Sequence, residues 1–305
     1  MARFRFALFV LAIVPSLATA QPAGMSTENV TVTGTGAREV LQKFVASFAT
    51  ATRMTGKLAH WEDGVCPITA GLGPLENRFV TQRVRDIAGK AGAPVNDQKS
   101  CRPNITIDFT TMPQAALDTV RKRHPSFLGY FDNSDQLEKL ATVTRPIQSW
   151  YFTATKDVRG AMEPDKAMKT GLGVALDRDA EPGKFVFPSA TAVNVTGTHL
   201  GDGLRSVFYH VIIVADRTKL ADYEIGSVAD YISVLALAQL NSLDTCQPLP
   251  SIVNMLAAHC DGKVEALTEN DLGYLRGLYK MSPDRTMRTQ LDEIAFQLEL
   301  SLKNH

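Results

Sequence analysis

The sequence predicts an α+β fold in which a mixed β-sheet is flanked by helices. Three observations support this class. Apolar residues recur at helical spacing over 74–89 and then alternate with polar residues over 104–109, which indicates a helix leading into a strand. Residues 206–215 are apolar enough to lie inside a sheet. The segment after Gly226 is apolar nearly all round, which predicts a central helix buried in the domain, with further helices at the C-terminal end.

The composition is that of a globular protein. The chain has 305 residues, of which 45% are hydrophobic and 21% are charged, so a sizeable core can form. The 32 acidic and 32 basic residues balance, which gives no long-range attraction to nucleic acid. We therefore expect no nucleic-acid partner. No motif calls for a cofactor, and we expect none.

The N-terminal residues have the pattern of a secretory signal peptide. Arg3 and Arg5 precede an apolar run at 6–14, and small residues two apart end at Ala20. A membrane anchor is the alternative, but the run is well short of the ~20 residues that span a bilayer. We expect a signal peptide over 1–20 with cleavage after Ala20, and a periplasmic or secreted mature protein without a membrane span. The mature chain is predicted to have a flexible start at 21–28 and one domain over 29–305.

The four cysteines suit an oxidising compartment. Cys66, Cys101, Cys246 and Cys260 allow three pairings, among which sequence alone cannot choose. Proximity in the chain favours disulfide bonds from Cys66 to Cys101 and from Cys246 to Cys260. A metal site built from all four is the rival interpretation, but no Cys-x-x-Cys unit is present.

The other predicted elements follow from local patterns in chain order. The helix at 74–89 is expected to place Phe79, Val80, Val84 and Ile87 on one face. Low periodicity over 155–184 predicts a long surface loop. The remaining strands are predicted at 29–33, 57–61, 146–153 and 184–195, and the remaining helices at 36–48, 113–121, 136–141, 267–279 and 285–302.

The order of strand, buried helix, cysteine-bounded loop and capped helix in the last third resembles the active-site half of metzincin zinc metallopeptidases. Thr268 with Asp271 gives the last of these helices a capping box. In metzincins the central helix carries His-Glu-x-x-His, where the histidines bind zinc and the glutamate is the general base. Here Asp230, Tyr231 and Val234 stand at those positions. The resemblance implies a zincin-like fold with a degenerate motif, no metal ligands and no catalytic residues inherited from the family.

The whole chain also resembles a group of uncharacterised exported bacterial proteins. The shared motifs are Trp-Glu-Asp-Gly-x-Cys-Pro at 61–67, Cys-Arg-Pro-Asn at 101–104 and Thr-Arg-Pro-Ile-Gln-x-Trp-Tyr at 144–151. This resemblance implies export and disulfide bonds, and it implies no mechanism.

Three functions are compatible with these observations. The first is a non-catalytic pseudoenzyme that binds a peptide or an envelope partner along a sheet edge beside the former active-site cleft. The second is a hydrolase with a non-zinc active site, and the third is a structural envelope protein. Trp61 and His210 are candidate ligand contacts, although a structural role is the alternative for each. The hydrolase would draw on scattered side chains able to transfer protons, and a structural or exposed role is the alternative for each histidine among them: His60, His124, His199, His210, His259, Glu62, Asp108, Glu224 and Asp230.

Overall fold

The computed structural model describes residues 35–98, 100–123, 125–129, 131, 133–165, 195, 202–241 and 243–303. Over these residues the chain forms seven α-helices and six strands, together with 3₁₀ turns at Pro125–Leu128 and Ile252–Leu256. The strands are β1 (Ala59–His60), β2 (Pro67–Ala70), β3 (Ile105–Thr110), β4 (Ile147–Lys156), β5 (Met162–Pro164) and β6 (Arg205–Asp216). The helices are α1 (Thr35–Phe48), α2 (Pro74–Ala91), α3 (Pro113–Arg123), α4 (Ser134–Leu140), α5 (Ile225–Leu237), α6 (Glu269–Lys280) and α7 (Met287–Lys303).

All six strands belong to one mixed sheet. Its order is β2-β3-β6-β4-β5, and β1 pairs with the start of β6. Strands β1, β2, β3 and β6 run parallel to one another, whereas β4 is antiparallel to both β6 and β5. The predicted mixed sheet flanked by helices is therefore confirmed.

The sheet separates two apolar clusters of unequal size. Helices α1, α2, α5, α6 and α7 cover one face and contribute to the larger cluster with residues such as Ile105, Ile107 and Phe109 of β3. The smaller cluster, around Trp150 and Phe152 of β4, lies under α3 and α4 on the other face. The alternation of β3 explains this arrangement, because successive side chains of a strand point to opposite faces.

Helix α5 is the buried central helix that the sequence predicts. Every residue of α5 from Ser227 to Leu237 is buried. The next helix, α6, begins after Thr268, whose side chain and that of Asp271 form the predicted capping box. The helices predicted at the C-terminal end are both present.

Both disulfide bonds join the cysteine pairs favoured by the sequence, Cys66 with Cys101 and Cys246 with Cys260. The first bridge is reinforced by Asn104, which accepts from Cys66 N at 2.7 Å and donates to Gly64 O at 3.1 Å. Disulfides persist in oxidising compartments, so these bridges are compatible with an extracytoplasmic protein.

Several local predictions need correction. Phe79 was expected on the buried face of α2, but its side chain is 45% exposed. The buried face consists of Val80, Val84 and Ile87, and Phe79 lies beside it. Strand β1 is only two residues long. Strand β4 continues to Lys156, and β5 lies within the region expected to be a loop.

Other predictions fall outside the described residues. These are the signal peptide at 1–20, the flexible start at 21–28, the strands at 29–33 and 184–195, and residues 166–184 of the predicted loop.

Candidate functional site

A cleft of about 410 Å³ lies along one edge of β4. Three parts of the chain that are distant in sequence line it. They are residues 51–53, several residues between Leu128 and Thr153, and several residues between Leu235 and Leu243, where α5 ends and the next loop begins. The cleft therefore exists only when β4, the turn before α4 and the C-terminal end of α5 are assembled.

The edge of β4 in this cleft has no strand beside it. Strand β5 pairs only with residues 154–156, so within the described part of the chain no strand covers the outer side of β4 from Ile147 to Phe152. Asp216 N donates to Pro146 O, and Asp165 N donates to Thr153 O at 2.9 Å. Because peptide groups of an antiparallel strand alternate in direction, those of Ile147, Ser149 and Tyr151 point outward.

The floor of the cleft joins β4 to the end of α5. Tyr151 Oη lies 2.9 Å from Leu235 O and 3.0 Å from Ala238 O, and it accepts a hydrogen bond from Ser149 Oγ at 3.0 Å. Burial raises the pKa of Tyr151 well above its usual value, so its hydroxyl stays neutral near pH 7. Tyr151 therefore acts as a donor to the helix end and cannot act as a base.

Trp61 and Tyr279 complete the same helix end. Trp61 Nε1 donates to Ala236 O at 2.9 Å, and Tyr279 Oη donates to Leu237 O at 2.8 Å. These carbonyls have no partner within the helix, so side chains must satisfy them where water is excluded. The Trp61 side chain is only 1% exposed, which leaves no face open to a ligand in this structure. Its position supports the structural role.

Arg145 is the main charged group at the N-terminal end of the exposed edge. Its Nε donates to Asp244 Oδ1 at 2.9 Å, and its Nη2 donates to Asp244 Oδ2. The Asp244 carboxylate raises the pKa of Arg145, and Arg145 in turn lowers the pKa of Asp244. Both groups are therefore charged at neutral pH.

Tyr231, at the glutamate position of the degenerate motif, is buried, and burial raises its pKa.

The other two motif positions are structural. Val234 is fully buried in the core. Asp230 accepts from Arg83 Nε at 2.5 Å and from Arg83 Nη2 at 3.1 Å, and it accepts from Leu267 N at 2.9 Å. The carboxylate of Asp230 thus connects α5 to α2 and to the start of α6, and a guanidinium supplies its positive partner.

His60 and Glu62 belong to a charged cluster at the start of β6. Glu62 binds Lys156 Nζ at 2.7 Å and Arg205 Nε, and His60 Nε2 lies 3.9 Å from Glu62 Oε1. Burial is the main cause that lowers the pKa of His60, and the Glu62 carboxylate opposes it. The cations at Lys156 and Arg205 lower the pKa of Glu62 against the effect of its burial. The cluster does not line the cleft.

His210 lies on β6, on the sheet face that carries the smaller apolar cluster. Its Nε2 is 3.4 Å from Thr106 Oγ1, and its ring stands edge-on to Phe152 with centroids 5.5 Å apart. Burial and then the charge of Arg102 lower the pKa of His210. His210 is not among the described residues that line the cleft.

The remaining candidate side chains are dispersed. His259 and Glu224 are exposed, and Asp108 lies partly buried on β3, where burial raises its pKa. His124 and His199 lie outside the described residues. Among the residues that the structure describes, no three His, Cys, Asp or Glu side chains stand close enough together to hold a metal ion.

The sequence motif at 144–151 forms one wall of the cleft, through Arg145, Gln148, Ser149, Trp150 and Tyr151. In the sequence this motif is linked to no function, so the cleft residues Arg145, Gln148 and Ser149 were not predicted. The motif itself was the signal, because it places a cation and polar groups beside an exposed strand edge.

Comparisons of the chain with protein-family models, with curated proteins and with solved structures found no match. Within the described residues, no helix combines the length and the apolarity needed to cross a bilayer.

Proposed function

We propose that the chain is a non-catalytic peptide-binding protein of the cell envelope, built on a zincin-like scaffold. An extended peptide occupies the cleft and adds a strand to the outer edge of β4. The exported location expected from the sequence places such a peptide in the periplasm or outside the cell.

The observation that carries this proposal is the exposed edge of β4 within a cleft. The outward peptide group of Ser149 faces a space of about 410 Å³, with polar side chains such as Gln148 and Gln239 around it, and Gly129 lies beside the outward carbonyl of Tyr151. An exposed strand edge binds extended peptides through main-chain hydrogen bonds, while flanking pockets select side chains.

The arrangement of the degenerate motif supports a non-catalytic role. Asp230 is committed to Arg83, and Val234 has no atom that can bind a metal. Two hydroxyls lie nearest the edge. Ser149 Oγ donates to the neutral Tyr151 hydroxyl, and Tyr151 Oη donates to main-chain carbonyls. Neither side chain therefore has a base to activate it.

The test is selection of peptides from a random octapeptide library on the purified, oxidised protein, followed by mass spectrometry of what is retained. We compare the wild type with Gln239→Trp, which fills the cleft, and with Gln82→Trp, which places the same bulk on the exposed surface of α2. Peptides should be retained by the wild type and by Gln82→Trp, and lost in Gln239→Trp. In the peptide-bound protein, the amide of Ser149 should become protected from hydrogen exchange.

Two results would contradict the proposal. Equal retention by all three proteins would place binding elsewhere or show that it is non-specific. Cleaved peptides, or stoichiometric zinc that stays bound during purification, would contradict the non-catalytic role.

A further inference from the structure

The charged side chains that line the cleft are both cationic. Arg53 and Arg145 are the only charged residues among the described lining residues, and no carboxylate is present there. Asp244 lies outside the lining and reaches Arg145 from the loop after α5. Because Asp244 already balances the charge of Arg145, an anionic occupant of the cleft would have to exchange with Asp244.

Arg145 binds the Asp244 carboxylate in a bidentate arrangement. The two parallel N–H donors, Nε and Nη2, each bind a different carboxylate oxygen, which is the geometry in which a guanidinium recognises any carboxylate. The side chain of Asp244 is 70% exposed, and that of Arg145 is 32% exposed. Exposed ion pairs add little to stability because water solvates both partners, so an incoming carboxylate can replace Asp244 at small cost.

The direction of β4 decides which end of a peptide meets Arg145. Strand β4 begins at Ile147, two residues after Arg145, and it pairs antiparallel with both β5 and β6. A peptide added antiparallel to the outer edge has its C-terminal end beside the N-terminal end of β4. Its terminal carboxylate then lies near the guanidinium, whereas a parallel peptide would bring its ammonium group there.

We propose that Arg145 binds a carboxylate of the peptide and that Asp244 is an internal competitor for the same guanidinium. This inference rests on the proposed function, because it specifies the ligand of the same cleft. The antiparallel geometry makes the terminal carboxylate the expected source, and an acidic side chain near that end is the other source of the same chemistry.

The experiment uses two random octapeptide libraries, one with free C-terminal carboxylates and one with C-terminal amides. Both are incubated with the full protein as wild type, Arg145→Gln and Asp244→Asn. Arg121→Gln is the matched control, since Arg121 pairs with Glu138 outside the cleft with a similar exposure. Retention is quantified by mass spectrometry, and circular dichroism checks the fold of each variant.

We expect the wild type and Arg121→Gln to retain the free-acid library over the amide library by about two- to fivefold, because the peptide carboxylate must displace Asp244 and an exposed ion pair contributes little. The preference should disappear in Arg145→Gln and increase in Asp244→Asn. If the amide library yields peptides rich in Asp and Glu that also depend on Arg145, the carboxylate comes from a side chain and the role of Arg145 is supported.

Equal retention of both libraries by the wild type, without enrichment of acidic residues, would overturn this inference and leave peptide binding intact. If Asp244→Asn binds the free-acid library no better than the wild type does, Asp244 does not compete for the guanidinium. Retention of neither library would instead refute the proposed function itself.

Discussion

The pair of Arg83 and Asp230 offers a quantitative test of how the degenerate motif is accommodated. The side chain of Asp230 is 3% exposed, whereas that of Arg83 is 34% exposed. Replacing Arg83 by Met leaves a buried carboxylate with only the N–H of Leu267 as partner. Removing one partner of a buried pair costs about 3–5 kcal/mol, and we expect the lower end because water reaches the Arg83 side.

The reverse substitution should cost less. In Asp230→Asn the amide oxygen can still accept from Leu267 N, and the guanidinium of Arg83 can turn toward water, so we expect a loss of about 1–2 kcal/mol. The double variant contains no buried unpaired charge. It should therefore be less destabilised than the sum of the single variants, with a coupling energy of about 2 kcal/mol.

Urea unfolding followed by tryptophan fluorescence measures these differences, because Trp61 and Trp150 are both buried. The disulfides are kept oxidised throughout. The control is Arg121→Met, since Arg121 has the same exposure of 34% but its partner Glu138 is 59% exposed. We expect that substitution to change the free energy of unfolding by less than about 1 kcal/mol. Additive losses in the double variant, or a greater loss in Asp230→Asn than in Arg83→Met, would refute the reasoning.

Three further predictions concern stability. Tyr151→Phe removes the donor to the end of α5 and should lower the free energy of unfolding by about 1–3 kcal/mol in urea titrations; an unchanged value would show that water replaces the hydroxyl. Because burial lowers the pKa of His60 in the folded protein, the unfolded chain takes up the proton first, and stability should fall as the pH drops below about 6.5. His60→Asn should lose less stability between pH 7.5 and 5.5 than the wild type, and parallel curves would exclude His60 as a source. Replacing Cys246 and Cys260 by serine should cost roughly 3 kcal/mol for a loop of this size, measured as a lower urea midpoint; no change would mean that the loop is restrained without the bridge.

The sequence predicted the central elements because their signals are local. Strand β6 and helix α5 are apolar over most of their length, and such segments have few alternatives to burial. The cysteine pairs were predicted from proximity in the chain. The error at Phe79 arose because apolar spacing gives the approximate face of a helix, whereas the packing of α2 on α5 decides which side chain lies at the border of that face.

The cleft could not be predicted in the same way. Its walls come from segments near residues 52, 149 and 239, and their approach depends on the assembly of the whole sheet. The partner of Asp230 is likewise distant, because Arg83 lies 147 residues earlier in the chain. A periodic pattern carries no information about such pairs. The motif at 144–151 nevertheless indicated where an unusual combination of Arg, Gln and aromatic residues occurs.

The three aromatic side chains at the end of α5 have a consequence for the order of folding. Trp61 and Tyr151 precede their carbonyl partners by 175 and 84 residues, and Tyr279 follows its partner by 42 residues. A growing chain that has not yet emerged as far as Tyr279 leaves the Leu237 carbonyl without its donor in an apolar setting. We therefore expect α5 to become stable only when nearly the entire polypeptide is available.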